Sequence, residues 1–202
     1  MSRGNAILLA IVIVVALIAV AVVSVLHDGL SSRAKPTALE TMMAREVRHM
    51  AIPASARSIQ NPVAETPENL RDARLHFADH CAICHANDGS GDTLVGRNLY
   101  PEPPDLRREE TQKLADGELF WIIENGVRFT GMPAFGGAHG SEQDSWKLVR
   151  LIRHLPQLTE EERMEMERYN PKGPEDLEEE RQENDFLQGA PMQQKPEGAH
   201  HH

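Results

Sequence analysis

The chain of 202 residues carries 31 acidic against 21 basic side chains, and only 4% of it is aromatic. That length allows one ordinary domain with extensions, the shortage of large side chains leaves a modest core, and the negative balance argues against nucleic acid as a partner. The charge sits mostly at one end, where residues 159–202 hold thirteen Asp/Glu against five Lys/Arg.

Residues 6–26 run without a charge, and Ser24 is their only polar side chain. A helix of that length spans about 30 Å, the hydrocarbon thickness of a bilayer. A cleaved leader has a shorter apolar stretch before a small-residue site, whereas here the run continues past Ala19-Val20-Ala21. Residues 1–27 are therefore expected to be an uncleaved signal anchor. Flanking charge points the other way: Arg3 stands on one side and Arg33, Lys35, Arg45 and Arg48 on the other, which by the positive-inside tendency would leave the long part in the cytoplasm.

Residues 28–66 read as a linker with one short amphipathic helix. Thr37 and Glu40 have capping-box spacing after Pro36, and Leu39, Met43, Val47 and Met50 fall on one stripe. Such a helix either lies on a bilayer surface or packs on a protein surface. Pro53, Pro62 and Pro67 among Ala and Ser mark residues 52–67 as connecting chain.

Residues 67–158 are expected to form the one folded domain. Its first helix runs from Glu68 to His80, with Leu70, Ala73, Phe77 and Ala78 inward. His76 and His80 stand at a metal-binding i, i+4 spacing, but read more simply as two partly solvated histidines. The helix delivers the chain into Cys81-Ala82-Ile83-Cys84-His85. C-x-x-C-H is the attachment signature of haem c: two thiols on one turn add across the two vinyl groups, and the adjoining His85 offers the proximal imidazole. With only two cysteines, the chain lacks the second pair a zinc ribbon needs and has none left for a structural disulfide. A thioredoxin-like dithiol would sit in a βαβ pattern, which is absent.

Asn87, Asp88, Gly89, Gly91, Asp92 and Gly96 are loop chemistry, followed by the rigid run Pro101-Glu102-Pro103-Pro104-Asp105-Leu106. A ligating histidine needs its second ring nitrogen fixed by an acceptor, and the Pro104 carbonyl is the candidate. Asp116–Asn125 should be a helix capped by Asp116 and stopped by Gly126. Then comes Thr130-Gly131-Met132-Pro133, holding the only methionine between residues 67 and 158. A thioether suits Fe(II), so Met132 is the candidate distal ligand, with His139 in reserve. Ser141 and Asp144 should cap a last helix with Trp146, Val149, Ile152 and Leu155 inward, ended by Pro156. Thr159 and Glu162 have capping spacing, so residues 159–202 are expected to be an acidic tail, helical to about Arg168 and mobile from Tyr169 onward. His200-His201-His202 in it has a metal-binding composition without further context.

Together, C-A-I-C-H at 81–85, P-P-D-L at 103–106, T-G-M-P at 130–133 and the closing helix resemble the class I c-type cytochromes, of the bacterial membrane-anchored monohaem kind. The resemblance covers residues 67–158. It implies an all-α fold whose first and last helices cross near Phe77 and Trp146, with Ala73 where the family often has glycine. It also implies one covalent haem c, attached outside the bacterial inner membrane, which overrides the charge argument above and puts the domain in the periplasm. The expected function is single-electron transfer between redox proteins, with no small-molecule substrate. A subunit docked in a larger respiratory or dehydrogenase complex is the alternative, and a haem peroxidase or gas sensor a more distant one.

Overall fold

The computed structural model describes residues 3–28, 31, 35–137 and 141–187. His139, Arg33 and His200–His202 lie outside the described residues. Among the described residues the chain is all helix, turn and loop, with no strand. In chain order the helices are α1 (Arg3–Asp28), α2 (Ala38–Ala51), α3 (Ala54–Arg57), α4 (Pro67–His80), α5 (Ala82–His85), α6 (Glu109–Gln112), α7 (Asp116–Asn125), α8 (Glu142–His154), α9 (Glu160–Glu167) and α10 (Pro174–Leu187). Short 3-10 turns lie at Gly96–Asn98 and Leu155–Gln157.

α1 contains Gly4–Ser24, long and apolar enough to cross a membrane and wholly outside the core. The core is built on α4 and α8, the most extensively packed pair of helices. α4 starts where Thr66 accepts from the Asn69 amide with Pro67 in its first turn. α8 starts at a reciprocal capping box between Ser141 and Asp144. Small Ala73 and Ala78 let the helices approach, and Phe77, Trp146, Leu148, Val149, Leu151 and Ile152 fill the space between. Lys147 reaches Asp72 across the pair at 2.7 Å. Each fully buried aliphatic side chain here is worth about 1.5–3 kcal/mol of transfer free energy. α7 closes the bundle: Phe120 stacks on Trp146 at 4.1 Å between centroids, and Ser145 donates to Glu124 at 2.6 Å.

Three expectations change. The cap of α7 is Ala115 rather than Asp116: the Glu118 carboxylate accepts the Ala115 amide at 2.8 Å, while Asp116 is taken by Arg153 of α8. Residues 52–63 do not form a free linker. Ile52, Ala56 and Val63 are buried, α3 packs on α7, Asn61 donates to the Trp146 carbonyl at 2.9 Å, and Arg150 donates to the Val63 carbonyl at 2.8 Å. The prolines end and start short elements that lie on the bundle. Nor is the acidic segment a free tail: the expected helix after Thr159 lies on the domain, and the chain is helical again in α10, beyond Arg168. α9, capped by Thr159 and Glu162, packs on α4 with Met166 fully buried. Arg74, itself buried, bridges Glu162 at 2.8 Å and Glu165 at 3.0 Å.

Candidate functional site

α4 leads without a break into α5. The Cys81 amide donates to the Phe77 carbonyl, and the His85 amide to the Cys81 carbonyl. The helical turn therefore continues through the motif, placing Cys81, Cys84 and His85 on one short stretch that packs on α4 and on the Gly96–Asn98 turn. The His85 ring lies 6.4 Å from Phe77. Its Nδ1 is buried with no hydrogen-bond partner. Burial pushes the His85 pKa down to about 4, so the ring is a neutral imidazole at physiological pH, the form that ligates metals. Burial, with Cys84 close by, pushes the Cys81 thiol up to about 12, and burial raises Cys84 too. A dithiol redox pair needs the opposite shift.

After the motif the backbone turns at Gly89 (φ +76°) and Gly91 (φ +78°). The Gly91 amide donates back to the His85 carbonyl at 2.8 Å, and the Leu106 amide to the Gly89 carbonyl at 2.8 Å. The 86–91 loop is thus laid along the proline segment. A Cβ on Gly91 would sit 2.8 Å from the Pro103 carbonyl oxygen, so only glycine permits this approach. Pro104 is exposed, and no hydrogen bond joins it to His85 in this structure. Two further clamps left no signature in the sequence. Thr93 donates its hydroxyl to the Ile83 carbonyl at 2.8 Å and accepts the Gly96 amide at 2.8 Å, so it fastens the end of α5. Arg107 ties Asp88 (2.7 Å) to Asp105 (2.9 Å). The Arg107 hydrogen bond is the main cause that holds the Asp105 carboxyl down, to about 2.

Met132 is half-buried on a loop folded back over the end of α7. The Val127 amide donates to the Met132 carbonyl at 3.1 Å, and the Phe135 amide to the Ile123 carbonyl at 3.1 Å. Gly126 makes this possible: its φ is +65°, and a Cβ there would lie 2.7 Å from the Met132 carbonyl oxygen. On the other side Gly131 packs against Leu99, with 2.7 Å to a methyl from an added Cβ. Leu99 follows Gly96, itself pressed on the Cys84 carbonyl. The loop carrying Met132 and the turn carrying the cysteines are therefore neighbours through Leu99. His76 and His80 stack at 4.8 Å on α4, and among the described residues no cluster of three metal-binding side chains forms.

Residues 68–152 match the family model described as cytochrome C oxidase, cbb3-type, subunit III. No curated protein matches the chain. The residues present fit the haem c that such a domain implies. A neutral imidazole with a buried, orphaned nitrogen, two free thiols one turn apart, and a methionine loop beside them make up a donor set for a covalently held haem iron. α5 and the neighbouring loops present large exposed apolar side chains, Ile83, Leu94, Val95 and Phe129.

Proposed function

We propose that the c-type cytochrome domain matched at residues 68–152 serves as the electron carrier of a membrane-anchored monohaem cytochrome on the periplasmic side of a bacterial inner membrane. α1 is the anchor. Cys81 and Cys84 hold the haem through thioethers. His85 is the proximal ligand and Met132 the distal one. The Pro104 carbonyl is the candidate acceptor for His85 Nδ1–H, with the neighbouring Pro103 carbonyl beside Gly91 as its alternate. Haem so bound supplies a one-electron Fe(III)/Fe(II) couple. The polypeptide keeps both ligands in place. Thr93 and the Gly91–His85 bond fix the proximal turn, while Gly126 and the Val127–Met132 bond fix the distal loop. Ligands held this way change little between oxidation states, which suits electron transfer better than substrate chemistry.

The observation that carries this reading is the placement of the domain's sole methionine on a pinned loop that adjoins, through Leu99, the turn bearing C-x-x-C-H. The test is Met132→Ala in the haem-loaded protein. The midpoint potential should fall, the weak far-red sulfur–iron band of the oxidised form should vanish, and carbon monoxide should bind the reduced form. An unchanged spectrum, or rapid and complete carbon monoxide binding to the unmodified protein, would refute it. The name of the matched family, a subunit of a cbb3-type oxidase, favours a second reading, a subunit held in a larger respiratory complex. Mild detergent extraction followed by native sizing separates the two, since a lone small species excludes permanent assembly.

A further inference from the structure

α2 is turned inside out. Its polar side meets the domain. Glu40 accepts from the Tyr100 hydroxyl at 3.3 Å near one end. Near the other end His49 lies 3.4 Å from the buried Glu118, Arg57 lies 3.4 Å from the same carboxylate, and Arg57 also donates to the His49 carbonyl. Thr41 and Arg48, half-buried, share that side, and the helix ends on buried Ile52. The apolar stripe points the other way. Leu39, Met43, Val47 and Met50 are 61%, 56%, 58% and 73% exposed, and no residue of α2 is buried. Spacings of four, four and three keep these side chains on one face. A helix that merely caps a domain puts such a stripe against the core.

We infer that this face lies in the lipid headgroup–acyl boundary, so that α2 seats the cytochrome domain directly on the membrane surface. The inference rests on α1 being the anchor. α1 ends at Asp28 and α2 begins at Ala38, and the ten Cα-to-Cα steps between them reach at most about 36 Å even when fully extended. α2 is thereby confined to the layer next to the bilayer, where an apolar stripe without a protein partner is buried by lipid. Lys35, just before the helix, is a cation for phosphate groups at its membrane-proximal end. Because α2 is joined to α7 through Glu118 and to the Tyr100 loop through Glu40, a seated α2 also sets the tilt of the domain. The haem domain rides at a fixed attitude instead of swinging on a tether, which suits a partner embedded in the same membrane.

The test uses the full haem-loaded chain, reduced to its diamagnetic form, in phosphatidylethanolamine–phosphatidylglycerol vesicles. Single nitroxides are placed at Met43→Cys, Met50→Cys, Ala44→Cys and Leu17→Cys, and each is read for relaxation by oxygen and by a water-soluble nickel chelate. The expected result is oxygen in excess at 17, 43 and 50 and nickel chelate in excess at 44. Oxygen excess at 17 with nickel excess at 43 and 50 leaves the anchor standing and overturns the seating of α2. Exclusion of both reagents from 43 and 50, unchanged by lipid, means that a second copy covers the face and likewise overturns it. Nickel excess at 17 removes the anchor, and the inference falls with it.

Discussion

Gly117→Ala tests whether residues 52–63 are part of the folded unit. Gly117 sits in the first turn of α7, and a Cβ there would lie 1.8 Å from the Ala56 carbonyl oxygen and 3.1 Å from Ile59 Cβ. The nearest obstacle is backbone, so α3 must retreat by more than an ångström or leave. Retreat has the cost of overpacking, about 1–3 kcal/mol. Departure exposes Ile52 and Ala56, 2% and 6% exposed in the fold, which sets an upper bound of about 2–4 kcal/mol. Opposing this, alanine in place of glycine in a helix gains about 0.4–1 kcal/mol through the unfolded state. The net expectation is a loss of about 1–3 kcal/mol in the haem-loaded protein, measured by urea unfolding, together with faster tryptic cleavage after Arg57. Gly137→Ala is the control: its φ is +78° but nothing lies within 4 Å of an added Cβ, so only the backbone strain of about 1 kcal/mol applies and cleavage at Arg57 is unaffected. Unchanged or raised stability of Gly117→Ala would refute the packing of α3 on α7.

Arg74→Ala should cost about 2–3 kcal/mol, the lower end for breaking a buried ion pair because both glutamates are partly exposed. Adding Glu165→Gln should restore part of the loss, and additivity in that cycle would deny the coupling. The bonds from Arg71 and then Arg74 hold the Glu165 carboxyl below its ordinary value. Its contribution is therefore present above the unfolded pKa near 4.5 and lost as pH falls through the lower folded value, so the acid slope of unfolding should flatten in Arg74→Ala. Asp105, held at about 2 chiefly by the Arg107 hydrogen bond, has the same sign: its stabilisation is complete above about pH 4 and disappears towards pH 2. Asp105→Asn should lose about 1–2 kcal/mol at neutral pH and less at pH 2.5, and equal losses at both would remove Asp105 from the clasp. Gly96→Ala would put a Cβ 2.5 Å from the Gly91 carbonyl oxygen and 2.6 Å from that of Cys84. Covalent haem per polypeptide, read by haem stain on a denaturing gel, should drop, and full staining would show that the turn tolerates displacement.

The readable parts of this chain were those whose physics is local. Caps at Thr37, Ser141 and Thr159 and the stop at Gly126 each depend on residues within one turn, and the structure has them where the spacing put them. The cysteine motif and the lone domain methionine are likewise local patterns. What escaped was non-local. Ile52, Ala56 and Val63 are buried, yet they are spread among prolines and small residues with no helical or strand period, so the stretch looks like connecting chain. Glu162 and Glu165 read as solvated charge because nothing near them in sequence names Arg74 as their partner. Asp116 looked like a cap because its type suits one, but Arg153 competes for it from α8. Thr93 gave no hint of its role because a hydroxyl fastening two backbone groups needs no pattern around it.

The extensions also say something about how the cytochrome domain is used. A core with few aromatic side chains gains stability by adding apolar contacts at its periphery, and both extensions do this: α3 covers α7, and α9 covers α4. Neither is packed on α5, whose neighbours are α4 and the Gly96–Asn98 turn. The surface left open is therefore the one carrying Ile83, Leu94, Val95 and Phe129, the last 92% exposed. Electron transfer weakens steeply with distance, so covering this face would separate the haem from its partners, whereas covering α4 and α7 would not. On the proposed reading the chain has thickened the scaffold where thickness is harmless. It has kept bare the loops through which Cys84, His85 and Met132 are held, while Glu162 and Glu165 of α9 are drawn onto the scaffold by Arg74.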